Sequence, residues 1–145
     1  MPRTMYRENI IEMLEILSKD ARISYSELAR KLGISVAAVA KRVEALTERG
    51  YIKFVGLVDS RKLGFPEKYA LVVERSVEGL SEDPLTLAEL ELPNKKIVII
   101  NARSTEDLLE YLKKHKISPL SVDIVLEFKY INNIPLKYAD TDVPL

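Results

Sequence analysis

Cysteine, tryptophan and glutamine are absent from the 145 residues, and histidine occurs once. Without a thiol there can be neither a disulfide framework nor a thiolate metal site, and the expected compartment is the reducing cytoplasm. No apolar run approaches the length of a membrane span. The opening stretch MPRTMYRENIIEMLEILSKD sets Glu8, Glu12 and Glu15 among its apolar residues, so it reads as an amphipathic helix and not as a signal peptide. The missing residue types, beside 30% charged residues and abundant Ile, form a bias typical of proteins selected for heat, and a thermophilic source is expected.

Net charge is also lacking, at +0, yet the charges are unevenly placed. Residues 1–63 hold 12 Lys+Arg against 8 Asp+Glu, whereas residues 64–145 hold 10 against 14, or +4 against −4. A basic first part attracts phosphate and an acidic second part stays off it, which suits a two-part nucleic-acid binder. The length allows two small units, each with its own core.

What is present is clearest in RISYSELARKLGISVAAVAKRVEALTERGYIK, residues 22–53. Ser24 followed by Glu27 forms a capping box, and Leu28, Ala29 and Leu32 make an inward stripe. Gly33 stands where the helix must stop with positive φ, and Ser35 caps the next helix. That helix carries Val39, Val43 and Leu46 inward and leaves Val36, Ala37, Ala38, Lys41 and Arg42 facing outward. Gly50 ends it. An earlier helix, Tyr6 to Leu17, would cover the pair with Ile10, Met13, Leu14 and Leu17. Tyr51 to Val58 reads as a strand, so the whole describes a winged helix-turn-helix, whose second helix enters a DNA major groove. The same pattern also serves plain packing helices or a protein-binding winged helix.

The expected DNA contacts are Arg22, Arg30, Lys31, Ser35, Val36, Ala37, Ala38, Lys41, Arg42 and Arg49. The cations would meet phosphates, which set affinity and register. Val36, Ala37, Ala38 and Ala40 offer no bidentate partner for a base edge but can touch thymine methyls, so a modest preference for A·T-rich duplex is expected.

Residues Ile10 to Leu63, and above all RISYSELARKLGIS, AKRVEALTERGYIK and VDSRKLG, resemble the Lrp/AsnC family of transcription regulators. The resemblance implies an α+β chain: a helix-turn-helix head over residues 1–53, a linking strand and hinge over 54–67, and a small ferredoxin-like α/β dimerisation domain over 68–145. It implies binding to double-stranded DNA as a homodimer or a higher even-numbered oligomer. The linking strand, Phe54 to Phe65, pairs between subunits in relatives, and a lone strand there would leave an edge to be covered.

In the second half, Tyr69 to Val77 reads as a strand, Pro84 to Leu90 as a short helix, and Lys96 to Ala102 as a buried strand. A helix from Thr105 to Lys114 behind Ser104, with Leu108, Leu109 and Leu112 apolar, precedes a long strand from Val122 to Ile131. By this reading the family's hairpin between the helices loses one strand, together with the Gly-x-x-Asp turn that helps to build its amino-acid pocket. A three-stranded sheet with helices on one face and no amino-acid effector are therefore expected.

An enzyme is the remaining alternative, because some relatives of the family decarboxylate a tetrapyrrole with His and Arg. The single histidine, His115, sits among lysines at a helix end and reads as a solvated or capping residue. Asp140 and Asp142 could hold a cation, though a loose polar terminus explains them as well. No catalytic residue, cofactor or metal is expected.

Overall fold

The computed structural model describes residues 3–139 and divides into two compact units, Met1–Gly56 with Tyr130–Leu145, and Leu57–Lys129. The first holds three helices: α1 (Arg3–Lys19), α2 (Tyr25–Leu32) and α3 (Val36–Glu48). Ile10, Met13, Leu14 and Leu17 from α1 meet Leu28, Ala29 and Leu32 from α2 and Val39, Val43 and Leu46 from α3 in one aliphatic core. Burying each large side chain contributes about 1.5–3 kcal/mol, so the stripes read from the sequence hold the head together.

Two expectations about the edges of this unit fail. Tyr51 to Val58 forms no strand, and Phe54, Val55, Leu57 and Val58 are exposed. A strand exists only as one side of a ladder, and these residues find no partner in their own chain. The tail, grouped with the second domain from the sequence, returns instead to the head, where Leu136 packs against the helical core. Asp140 and Asp142 lie outside the described residues.

The second unit is a four-stranded antiparallel sheet in the order β2-β3-β1-β4, with β1 (Glu67–Glu74), β2 (Thr86–Glu91), β3 (Lys95–Ala102) and β4 (Ser121–Ile124). Helix α4 (Thr105–Lys114) connects β3 to β4. This is the strand order of a ferredoxin-like fold, and the expected loss of a strand is overturned. The hairpin β2–β3 is present, with Leu90 opposite Ile97 and Glu89 opposite Val98. What the chain lacks is the helix between β1 and β2, whose place is taken by a 3-10 turn at Leu80–Glu82 entered through Gly79 at φ 81°. The stretch read as a helix, Pro84 to Leu90, is β2 because its backbone groups bond to β3, and tertiary pairing overrides the helix propensity of Leu, Ala and Glu.

The long last strand is also shorter than expected. β4 pairs with β1 from Ser121 to Ile124, and Leu126, Phe128, Tyr130 and Ile131 beyond it are exposed. Alternation divides the sheet as the pleat requires. Tyr69, Leu71, Val73, Val98, Ile100 and Ala102 are buried with Leu108 and Tyr111 of α4, while Leu109 points outward.

The hinge turn Ser60–Leu63 is fastened to this sheet. Lys68 Nζ donates to Ser60 Oγ at 2.9 Å, and Ser60 Oγ donates to Asn101 Oδ1 at 3.1 Å. Asp59 caps the turn by accepting from the Arg61 N–H.

Candidate nucleic-acid interface

The geometry of the head follows from its caps. Ser24 Oγ accepts the Glu27 N–H at 3.1 Å, and Ser35 Oγ accepts the Ala38 N–H at 3.0 Å, so each helix starts on a side-chain acceptor that satisfies an otherwise orphaned donor. Between them Gly33 takes φ 67° and ψ 33°, and Ile34 N–H bonds back to Ala29 O at 3.1 Å. A residue with a Cβ would be strained in that conformation, so the tight turn depends on glycine. The result is a short helix, a tight turn and a longer helix whose first residues protrude.

Arg22, Arg30, Lys31, Ser35, Val36, Ala37, Lys41 and Arg49 are exposed in the folded head. Val36, 47% exposed, is the large apolar side chain on that surface of α3. Arg30 lies 3.8 Å from Glu27 on the same solvated helix face, a pair worth little in water that a phosphate can replace. Ala38 and Arg42, expected to face outward, are half-buried, because their positions on α3 turn toward the flank of the core stripe. Tyr25 and Tyr51, 42% and 40% exposed, and the exposed Lys53 were passed over. Their signal was available, since tyrosine hydroxyls and lysines beside a helix-turn-helix are phosphate donors by type.

Among the described residues the buried polar side chains, Asp83, Lys96 and Asp107, lie in the sheet domain. Asp83 Oδ2 accepts from His115 Nε2 at 2.7 Å and Lys114 Nζ at 3.2 Å, while Oδ1 accepts the Leu85 N–H at 2.9 Å. Burial pushes the Asp83 carboxyl up, but the Leu85, His115 and Lys114 donors outweigh it and hold it below its ordinary value. His115 occupies the C-terminal cap of α4 and lies 4.6 Å from the Tyr111 ring, so the capping expectation holds in position while the solvated alternative does not. Ser104 makes no side-chain cap. Asp107 instead accepts the Arg103 N–H at 2.8 Å and grips its guanidinium, which lowers the Asp107 carboxyl to about 2. Among the described residues no cluster of His, Asp and Glu could hold a metal ion.

A sequence profile described as a winged helix-turn-helix DNA-binding domain matches residues 7–53. The HTH-type transcriptional regulator LrpA of Pyrococcus horikoshii is 39% identical over 116 residues, 73% of this chain and 81% of that protein. The chain belongs to the Lrp/AsnC family. Another member, the HTH-type transcriptional regulator LrpC of Bacillus subtilis, is 32% identical over 72% of this chain and 79% of its own length. The solved structure of B. subtilis LrpC covers 84% of this chain and 95% of that one with a TM-score of 0.68 and 24% identity, and that of Escherichia coli AsnC covers 88% and 96% with 0.69 and 21%. As an Lrp/AsnC protein the chain is a DNA-binding transcription regulator and not an enzyme. It keeps the hairpin strand of the second domain, yet it has no glycine after Gly79, so no Gly-x-x-Asp turn stands in or after that hairpin.

Proposed function

We propose that this regulator binds double-stranded DNA as a homodimer, with α3 in the major groove and phosphates met by Arg22, Arg30, Lys31, Lys41 and Arg49. The observation that carries the reading is the start of α3, where Ser35, Val36 and Ala37 are exposed behind a satisfied cap, with exposed Arg30, Lys31 and Lys41 within six residues of it in sequence. Val36, Ala37 and Ala38 supply apolar contact with thymine methyls and no bidentate donor, which favours a modest preference for A·T-rich sites. Arg42, half-buried, contributes field and packing more than a free phosphate contact.

Dimerisation has its own support. The face of the sheet away from α4 presents exposed Leu90 beside half-buried Ala70, Val72, Ile97 and Ile99, an apolar surface that a second copy would bury further. A second copy covers such a face and brings two recognition helices to half-sites about one helical turn, or roughly 34 Å, apart. A DNA target supports a cytoplasmic site of action; no helix among the described residues is long and apolar enough to cross a membrane. The absent Gly-x-x-Asp turn supports regulation without an amino-acid effector.

Fluorescence anisotropy with the chain's own upstream DNA and a scrambled duplex, over a salt series, tests the reading. Binding with a steep salt slope and a preference of about tenfold, or ~1.4 kcal/mol, for the native site is expected. Failure to bind either duplex would turn the exposed apolar start of α3 into a protein-docking surface.

A further inference from the structure

The end of α1 lacks what the other helices of the head have. Gly50, like Gly33, takes positive φ, here 75°, and lets the chain fold back so that the Tyr51 N–H reaches Leu46 O at 2.9 Å. Helix α1 ends at Lys19-Asp20-Ala21 without a glycine. The last carbonyls of a helix have no partner within it and need donors from elsewhere. Asp20 N–H supplies one, to Ile16 O at 2.9 Å. The next comes from the tail, where Asn132 Nδ2 donates to Ser18 O at 2.8 Å.

Lys19 returns the contact, its Nζ donating to Asn133 Oδ1 at 2.6 Å and to Asn132 O at 3.3 Å. A few residues on, Leu136 packs against the aliphatic core of the head. A cap, a cation and an apolar anchor thus dock the tail on α1. The chain passes between the two units twice, at Gly56/Leu57 and at Lys129/Tyr130. A head on one connection samples a wide range of orientations, and a second connection removes much of that freedom before DNA is met.

We propose that the tail is a second tether for the DNA-binding head, with Asn132 and Leu136 as positioning residues that act through α1 and narrow the range of half-site separations the protein accepts. This rests on the dimeric reading above. The experiment compares full-length protein with its Asn132→Ala and Leu136→Ala variants on duplexes bearing one half-site, or two half-sites at separations stepped through one helical turn. Amide exchange at Leu17, Ser18 and Lys19 reports whether the tail is docked.

Both variants are expected to bind the single half-site as wild type does, to speed exchange at the end of α1, by about fivefold in Asn132→Ala, the effect of one lost hydrogen bond, and to flatten the dependence on separation. Unchanged exchange in Asn132→Ala overturns the cap, and faster exchange with the wild-type dependence on separation overturns the tether. A wild type that gains nothing from a second half-site overturns the dimeric reading and the spacing claim with it, whereas exchange still decides the cap. Should Leu136→Ala fail to fold, Asn132→Ala carries the test alone, since it leaves the core intact.

Discussion

The head and the sheet domain are stabilised by opposite means. Among the described residues the buried core of the head is wholly apolar, and its helices α2 and α3 start on local caps three residues long, from Ser24 to Glu27 and from Ser35 to Ala38. The buried Asp83, Lys96 and Asp107 all lie in the sheet domain, where Lys96 Nζ donates to Val77 O at 2.6 Å and pairs with Glu89 at 3.4 Å and Glu91 at 3.5 Å. A core of hydrocarbon tolerates reshaping of the surface around it, which a DNA-reading head needs. A domain that has given up a helix holds its bare crossover with charged bonds instead: Val77 to Lys96, Asp83 to His115 and Lys114.

The largest effect that would sharpen this contrast is a cavity in the head. Leu46→Ala, at a fully buried site, is expected to cost about 2–5 kcal/mol and to abolish DNA binding while the sheet domain keeps its own unfolding transition in urea. A single transition shared by both units would break the comparison. Asp83→Ala should cost about 2–3 kcal/mol in the sheet domain, because it leaves the Leu85 N–H and the His115 ring without their acceptor, and the head should stay folded by helical circular dichroism.

Ser35→Ala removes the cap of α3 and should cost about 1 kcal/mol, with Ser35→Asp restoring it. Lys41→Ala leaves stability alone and lowers the slope of log affinity against log salt by about 1, equally on specific and scrambled DNA. The smallest effect is on acid stability. With the Asp107 carboxyl held at about 2, its pairing with Arg103 contributes fully above the ordinary carboxylate range, near pH 4, and is lost as pH falls through 2; Asp107→Asn should flatten that part of the sheet domain's unfolding profile.

How much was legible in the sequence follows the same division. Gly33, Ser35 and the stripe Val39-Val43-Leu46 act on neighbours within one or two turns, so their roles could be read from spacing alone. β2 was misread as a helix because Thr86–Glu91 is rich in helix formers and its strand character comes from β3 across the hairpin. His115 gave no sign of its partner, since Asp83 lies in a crossover that has no periodicity of its own. The DNA-facing list was mostly placed on the surface, yet Arg42 and Ala38 sit at the flank of a stripe, where helical spacing cannot distinguish half-buried from free.

The sparse aromatic content of the core has a spectroscopic consequence. Among the residues whose burial is described, the buried tyrosines, Tyr69 and Tyr111, both belong to the sheet domain, while Tyr25 and Tyr51 of the head are exposed. No tryptophan competes with them for emission. Near-ultraviolet dichroism therefore reports Tyr69 and Tyr111 of the sheet domain, far-ultraviolet dichroism is weighted toward the three helices of the head, and one unlabelled sample follows both halves of the molecule.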